Sequence, residues 1–403
     1  MAKQNELELE NSQLKVYLEA KEIELNHANS LLNEFHSFLL VLGSLLDHQT
    51  SVVCPEPKIP THSTVENLDD SQLKSVLPFI LNLSNDPSLQ RTCASLLSLI
   101  CSLPICNPLP ISEILERILQ NLYSTDIQCS LNSIKSINHL IQHFGTTNDT
   151  DLDCKLSPFF NSILNHLWDC FVRIDFELVE MKVYILKTIM QLIKRSSLNH
   201  LITINQFYYI VIDYTKSIQH ISQPSHLQHH LIIQSHLNEL VGSILKFDET
   251  LLDRSDHVDY LMYMLVEQFS QAHDLLTQLN LDDDHSNVVL NSHQVNYHQL
   301  IDKLIINVLK VLGKVSMVIG SSFHKYMDSI LPLLITMINT CKNDKAIILI
   351  LKTIGDFVLY AGGPVNPYHV QLLVNAIDIK LNNLDIEKEL RIACLKAKSF
   401  VIS

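Results

Sequence analysis

Glycine and proline are scarce, at 8 and 13 of 403 residues. Sandwiches, barrels and propellers need a turn residue every ten or so positions, so this scarcity excludes them and leaves an all-helical chain as the expectation. Charged residues make up 18% of the chain and aromatic residues 7%, yet 47% is hydrophobic. That balance is too apolar for a disordered chain and sufficient for a large core. Positive charge is the rarer sign: 29 Lys+Arg stand against 43 Asp+Glu, a formal −14 at pH 7. Averaged over the surface, this predicts repulsion of duplex nucleic acid and of anionic membranes, and the densest basic spot in the sequence is Lys194-Arg195. No Cys-x-x-Cys pair occurs among the 9 cysteines, and no apolar h-region follows Met1. The expectation is a reduced, soluble, intracellular protein of nucleus or cytoplasm. The stretch 346–361 is apolar but broken by Lys352 and Asp356, and it falls short of a membrane span.

Catalytic signatures are missing as well. There is no Gly-x-Ser-x-Gly elbow, no phosphate-binding loop and no dinucleotide fingerprint. The sequence therefore predicts no enzyme, no catalytic residue and no cofactor. Histidines 226, 229 and 230 share a helix face at i, i+3 and i+4, but no cysteine or carboxylate completes a metal set, and no metal site is expected. Asp282-Asp283-Asp284 has neither the glycine nor the downstream glutamate of a calcium loop. It reads as a solvated acidic element.

What is present is periodicity. Residues 1–46 carry a seven-residue repeat, with Leu18, Leu25, Leu32 and Leu39 at a, Leu14 and Phe35 at d, and Asn11 at an early a position. This predicts a long helix that dimerises as a coiled coil, Asn11 fixing register and a two-stranded state. Residues 47–70 hold Pro55, Pro57 and Pro60 and read as a linker. From 71 to 403 the chain reads as consecutive helix pairs. A polar stretch at about 271–299, containing Asp282, Asp283 and Asp284, is expected to be a long inter-helix loop and a candidate partner-binding element.

The first pair, from Leu73, has Pro78 in one helix, Asp86-Pro87 at the turn, then Arg91 and Ala94 in the next helix. Asp86 suits a helix cap, Pro87 the first turn, and Ala94 a close helix approach. This pattern resembles the HEAT-repeat family. Turn aspartates recur at Asp126, Asp175, Asp344 and Asp385, with spacings near 40 to 50 that fit HEAT and armadillo units. The resemblance implies an all-α, right-handed α-solenoid of HEAT/ARM-like pairs behind an N-terminal coiled-coil helix, presenting a concave face for a protein segment.

Two finer resemblances follow. The order of coil, linker and helical array resembles the ATR-interacting checkpoint-partner proteins, which implies a homodimer holding a large HEAT-containing kinase in DNA-damage signalling. Val308–Ile319, then Phe323–Pro332, then Lys352–Asp356 resemble successive karyopherin units, which implies a nuclear-transport or cargo-binding factor. Either way the acidic net charge suggests a basic or amphipathic protein segment as the partner, and not duplex DNA or a membrane.

Overall fold

A computed structural model describes residues 77–102, 111–144, 156–219, 226–285, 292–361, 365–383 and 386–402, apart from 79, 85–88 and 254. The expected coiled coil with Asn11, Leu14, Leu18, Leu25, Leu32, Phe35 and Leu39 lies outside the described residues, as do the linker 47–70, Asp86 and Asp385. Every regular element among the described residues is an α-helix or a short 3-10 turn, so the chain is all-α. Its contacts divide it into two units, 1–148 and 149–403.

In the first unit, α1 (Gln90–Ser102), α2 (Ile111–Asn121) and α3 (Ile127–Phe144) pack on one another, α1 lying along α3. Helix α2 buries Ile114, Leu115, Ile118 and Leu119, a stripe at helical spacing, and Glu113 in its first turn suits the positive end of the helix dipole. Asp126 begins α3: its carboxylate accepts from the Gln128 amide at 2.9 Å. The same carboxylate receives Arg91 of α1 at 2.6 and 2.9 Å. A turn residue of one pair is thereby tied to the second helix of the preceding pair. The Arg91 hydrogen bond holds the Asp126 carboxyl below its ordinary range.

The second unit is a run of helix pairs: α4 (Phe160–Arg173) with α5 (Val179–Lys194), α6 (Leu201–Gln219) with α7 (Leu227–Phe247), α8 (Ser255–His285) with α9 (Ser292–Ile319), α10 (His324–Thr340) with α11 (Asp344–Ala361), and α12 (Pro367–Leu381) with α13 (Lys388–Ile402). The second helices α5, α7, α9, α11 and α13 pack side by side in one continuous row, and the first helices form the other layer. Core side chains sit between the layers, where Ile185, Leu240, Val308, Ile350 and Ile354 are all completely buried. Close row packing needs small residues on the neighbouring faces, and Gly242 of α7 and Gly313 of α9 supply them.

The aromatic cluster of the first pair is core, as its helical spacing suggests. Trp168 lies 5.0 Å from Phe171, 5.1 Å from Phe207 and 5.4 Å from Tyr214, centroid to centroid. Buried Lys182 of α5 has its ammonium 4.5 Å from the Phe171 ring centre and donates to the Phe171 carbonyl, one of the end carbonyls of α4 that lacks an intrahelical partner. Pro332 lies inside α10, and Pro367 opens α12 behind an Asn366 cap that accepts from the Tyr368 amide at 3.0 Å.

The long loop expected at 271–299 is corrected. Residues 271–285 continue α8, and 292–299 already belong to α9, so the interruption shrinks to 286–291. The reason lies in Ala272 and Leu276, buried one turn apart, which keep this polar segment seated on the core. Asp282, Asp283 and Asp284 fall in the last turns of α8. Negative charge at a helix C-terminus opposes the dipole, and for that reason the sequence there looks unlike helix.

By composition alone, 297–340 is apolar and long enough to cross a membrane. It comprises α9, a 3-10 turn and α10, with half of its most apolar window buried in the protein, which is the behaviour of core helices.

Candidate partner-binding face

The row α5, α7, α9, α11 and α13 has one side against the first-helix layer and the other open. Residues on the open side recur every three or four positions. On α9 they are Lys303, Ile306, Lys310 and Met317; on α11, Lys345, Ile348, Lys352 and Leu359; on α13, Ile392, Lys396 and Phe400. These spacings place each set along a single helix stripe. Lysine and apolar residues therefore share these stripes on three successive helices, with Asp356 of α11 and Glu389 of α13 among them. On α5 the corresponding stripe holds Tyr184, Lys187, Gln191 and Lys194.

Between α11 and α13 the stripes enclose a groove of about 340 Å³, whose apolar wall is Ile348, Leu359, Ile392, Ala393 and Phe400 and whose charged lining is Lys352 and Lys396 together with Asp356 and Glu389. Leu359 is 61% exposed and Phe400 45%. A groove lined by open apolar side chains is where a partner side chain can be buried.

The electrostatics are set by the lysines. Lys187 of α5 and Lys303 of α9 reach over α7 from either side. Partial burial lowers the Lys303 ammonium pKa, Glu239 opposes this, and the charges of Lys187 and Lys310 lower it further. Lys303 also meets the His236 ring at 3.0 Å. Glu239 is held below the carboxylate range mainly by its hydrogen bond to His236, with Lys303 and Lys310 adding to the effect. Farther along, burial raises the Asp356 carboxyl while Lys352 opposes it. Lys314 is paired with Glu249 and Lys398 with Asp378. Lys187, Lys246, Lys345 and Lys396 have no ion pair among the described residues.

The second helices carry a surplus of basic residues, and the acidic surplus of the first helices lies in α8. Helices α5, α7, α9, α11 and α13 contain thirteen Lys and Arg against six Asp and Glu. Helices α4, α6, α8, α10 and α12 contain four against eleven. The overall −14 is not representative of the open side of the row.

The turn residues behave as helix-pair fittings and not as chemistry. Arg91 and Asp126 form the inter-pair bridge already described. Asp175 precedes α5, accepting from the Glu177 amide at 3.3 Å, and its charge raises the Lys182 pKa against the stronger lowering by burial. Asp344 is the first residue of α11, but the cap is its neighbour Asn343, whose side-chain oxygen accepts from the Lys345 amide at 3.0 Å while its NH2 donates to Asp302 of α9 at 2.8 Å. Asn343–Asp302 thus occupies the place that Asp126–Arg91 has in the first unit, with the polarity reversed. His226 and His229 lie near one another at the start of α7, with ring centroids 6.2 Å apart, whereas His230 is buried and its pKa is lowered by that burial. No group of three metal-ligating side chains occurs among the described residues.

The arrangement defines a HEAT-type array of helix pairs with an open, lysine-rich second-helix row. No family model matches the sequence, and no curated protein matches it. Among solved structures, importin beta crystallised in a polyethylene glycol condition superposes with a TM-score of 0.56 at 11% identity, over 82% of this chain and 37% of that one. Kap95p bound to RanGDP gives 0.48 at 15% identity, covering 84% and 42%, and yeast importin-beta (Kap95p) gives 0.38 at 14%, covering 84% and 54%. The first of these likenesses shows the fold: this chain folds like a HEAT-repeat karyopherin, and it spans well under half the length of that importin beta chain.

Proposed function

We propose that this protein is a non-enzymatic scaffold that grips a protein partner along the open side of the row α5–α7–α9–α11–α13. The observation carrying this reading is the groove between α11 and α13, where exposed Leu359, Ile392 and Phe400 flank a concavity at the end of a stripe of lysines. The fold likeness to importin beta supports a nuclear-transport or cargo-binding role over the checkpoint-kinase adaptor role. Nucleus and cytoplasm are the compartments such a role implies.

Affinity purification of the full chain from its native cell, beside an Ala393→Trp variant whose indole fills the groove, tests the reading. Proteins recovered with the wild type and lost with the variant are expected. An unchanged set of partners refutes the scaffold reading. Within a positive result, Ran and nucleoporins support transport, and a giant kinase supports the adaptor role.

A further inference from the structure

We infer that the occupant of the open row is an acidic, amphipathic segment of a protein partner, running across α9, α11 and α13 with its carboxylates on the lysines and its apolar side chains in the groove. This inference rests on the scaffold reading and names the chemistry of its partner.

Three observations lead to it. First, lysines are grouped on the open side although the chain is acidic: each of α9 and α11 places two lysines seven residues apart on the exposed stripe, Lys303 with Lys310 and Lys345 with Lys352. Seven residues are almost two full turns, so each pair stands on one line. Lys303 senses the positive charge of both Lys187 and Lys310, so the cations form one field spanning at least three helices. Second, this field is only partly neutralised from within. Glu239 offsets part of the charge of Lys303 and Lys310, and Asp356 part of that of Lys352, with Glu389 also in the groove wall, whereas Lys345 and Lys396 have no ion pair among the described residues. Third, apolar residues stand between the cations, with Ile306 between Lys303 and Lys310 and Ile348 between Lys345 and Lys352. A phosphate backbone gains nothing from buried isoleucine, whereas a peptide alternating acidic and apolar side chains matches both sets.

Neighbouring helices pack roughly 8–10 Å apart. The span from α9 to α13 is then about 20 Å, the reach of about 6 extended residues, so a peptide of about 14 residues crosses it with both ends to spare.

The test is fluorescence anisotropy with the full chain and four labelled probes at low and physiological salt. One peptide of about 14 residues mixes glutamate with leucine; a second replaces its glutamates by lysine; a third keeps the glutamates and replaces leucine by serine; the fourth probe is a short DNA duplex. The Glu/Leu peptide is expected to bind, more weakly as salt rises, and at least about tenfold better than the other three. Lys310→Glu with Lys352→Glu should weaken it by about tenfold or more, and Lys310→Gln with Lys352→Gln by less, both variants keeping the helical circular dichroism of the wild type.

Preference for the lysine peptide, or binding indifferent to both double variants, overturns the inference. Preference for the duplex, lost in the charge-reversed variant, overturns it in favour of a nucleic-acid face. If no probe binds while Ala393→Trp still removes partners in the purification, the acidic occupant is refuted and the scaffold reading stands. If Ala393→Trp removes none, the scaffold reading fails on its own test.

Discussion

Replacing Lys182 by methionine should flatten the pH dependence of stability in the α4–α5 pair. Lys182 is 1% exposed, and burial lowers its ammonium pKa from 10.5 to about 8 despite the opposing charge of Asp175. The folded chain therefore gives up this proton before the unfolded chain does. Between about pH 8 and 10.5 the unfolded state holds more protons, so stability rises with pH across that window and is lost again as pH falls through 8. At pH 7 both states are charged and the linkage adds little. By pH 9.5 it has added about 2 kcal/mol, from the size of the shift and 1.36 kcal/mol per unit. Buried Cys101, pushed up to about 12, and Tyr208, pushed up by burial, work in the opposite direction above the ordinary thiol and phenol range. They are common to both proteins, so the readout is the difference between wild type and Lys182→Met. Trp168 is the only tryptophan and packs on Phe171 beneath the Lys182 ammonium, so its fluorescence during urea unfolding reports on this pair. Methionine also leaves the Phe171 carbonyl without its donor. That loss shifts both ends of the pH series alike. If wild type and variant gain the same stability between pH 7 and 9.5, Lys182 does not sit charged and desolvated in the core, and the reasoning is wrong.

Asn343→Ala should cost roughly 1–2 kcal/mol, because it removes the cap of α11 and the donor to Asp302 together. Asp344→Ala should cost only about 0.3–1 kcal/mol, through the helix dipole. Hydrogen exchange should show the opening confined to α9–α11, and a larger effect for Asp344 would reverse the capping assignment. For the N-terminal heptads we propose a dimer: light scattering on the full chain should give twice 46.0 kDa at micromolar concentration, falling to one chain mass when Leu25 and Leu32 are both replaced by lysine. Equal masses for the two proteins would refute the coil.

The pairing of helices was legible because apolar periodicity, Asp126 and Pro332 are local signals that survive without tertiary context. Two errors have physical causes. Asp282–Asp284 look like loop because three carboxylates oppose a helix C-terminus, whereas Ala272 and Leu276 on the other face were holding the segment in place. The lysine stripe was equally present in the sequence, as the intervals Lys187–Lys194, Lys303–Lys310 and Lys345–Lys352. A net charge summed along the chain concealed it, because the largest group of acids sits on α8, away from the row. The groove itself was not readable, since Leu359 and Phe400 come together only when α11 and α13 lie side by side.

The surplus of acids on α8 and of lysines on the second-helix row distributes charge unevenly over the second unit. Its bulk titration behaviour and its orientation at a charged surface then separate. A protein with a sequence pI near 5.7 should migrate as an acid in solution, yet adhere lysine side down to a cation exchanger, oriented and released at modest salt. In a cell the same asymmetry would turn the second-helix row toward any acidic neighbour before contact, so that most encounters begin on the side where the groove lies.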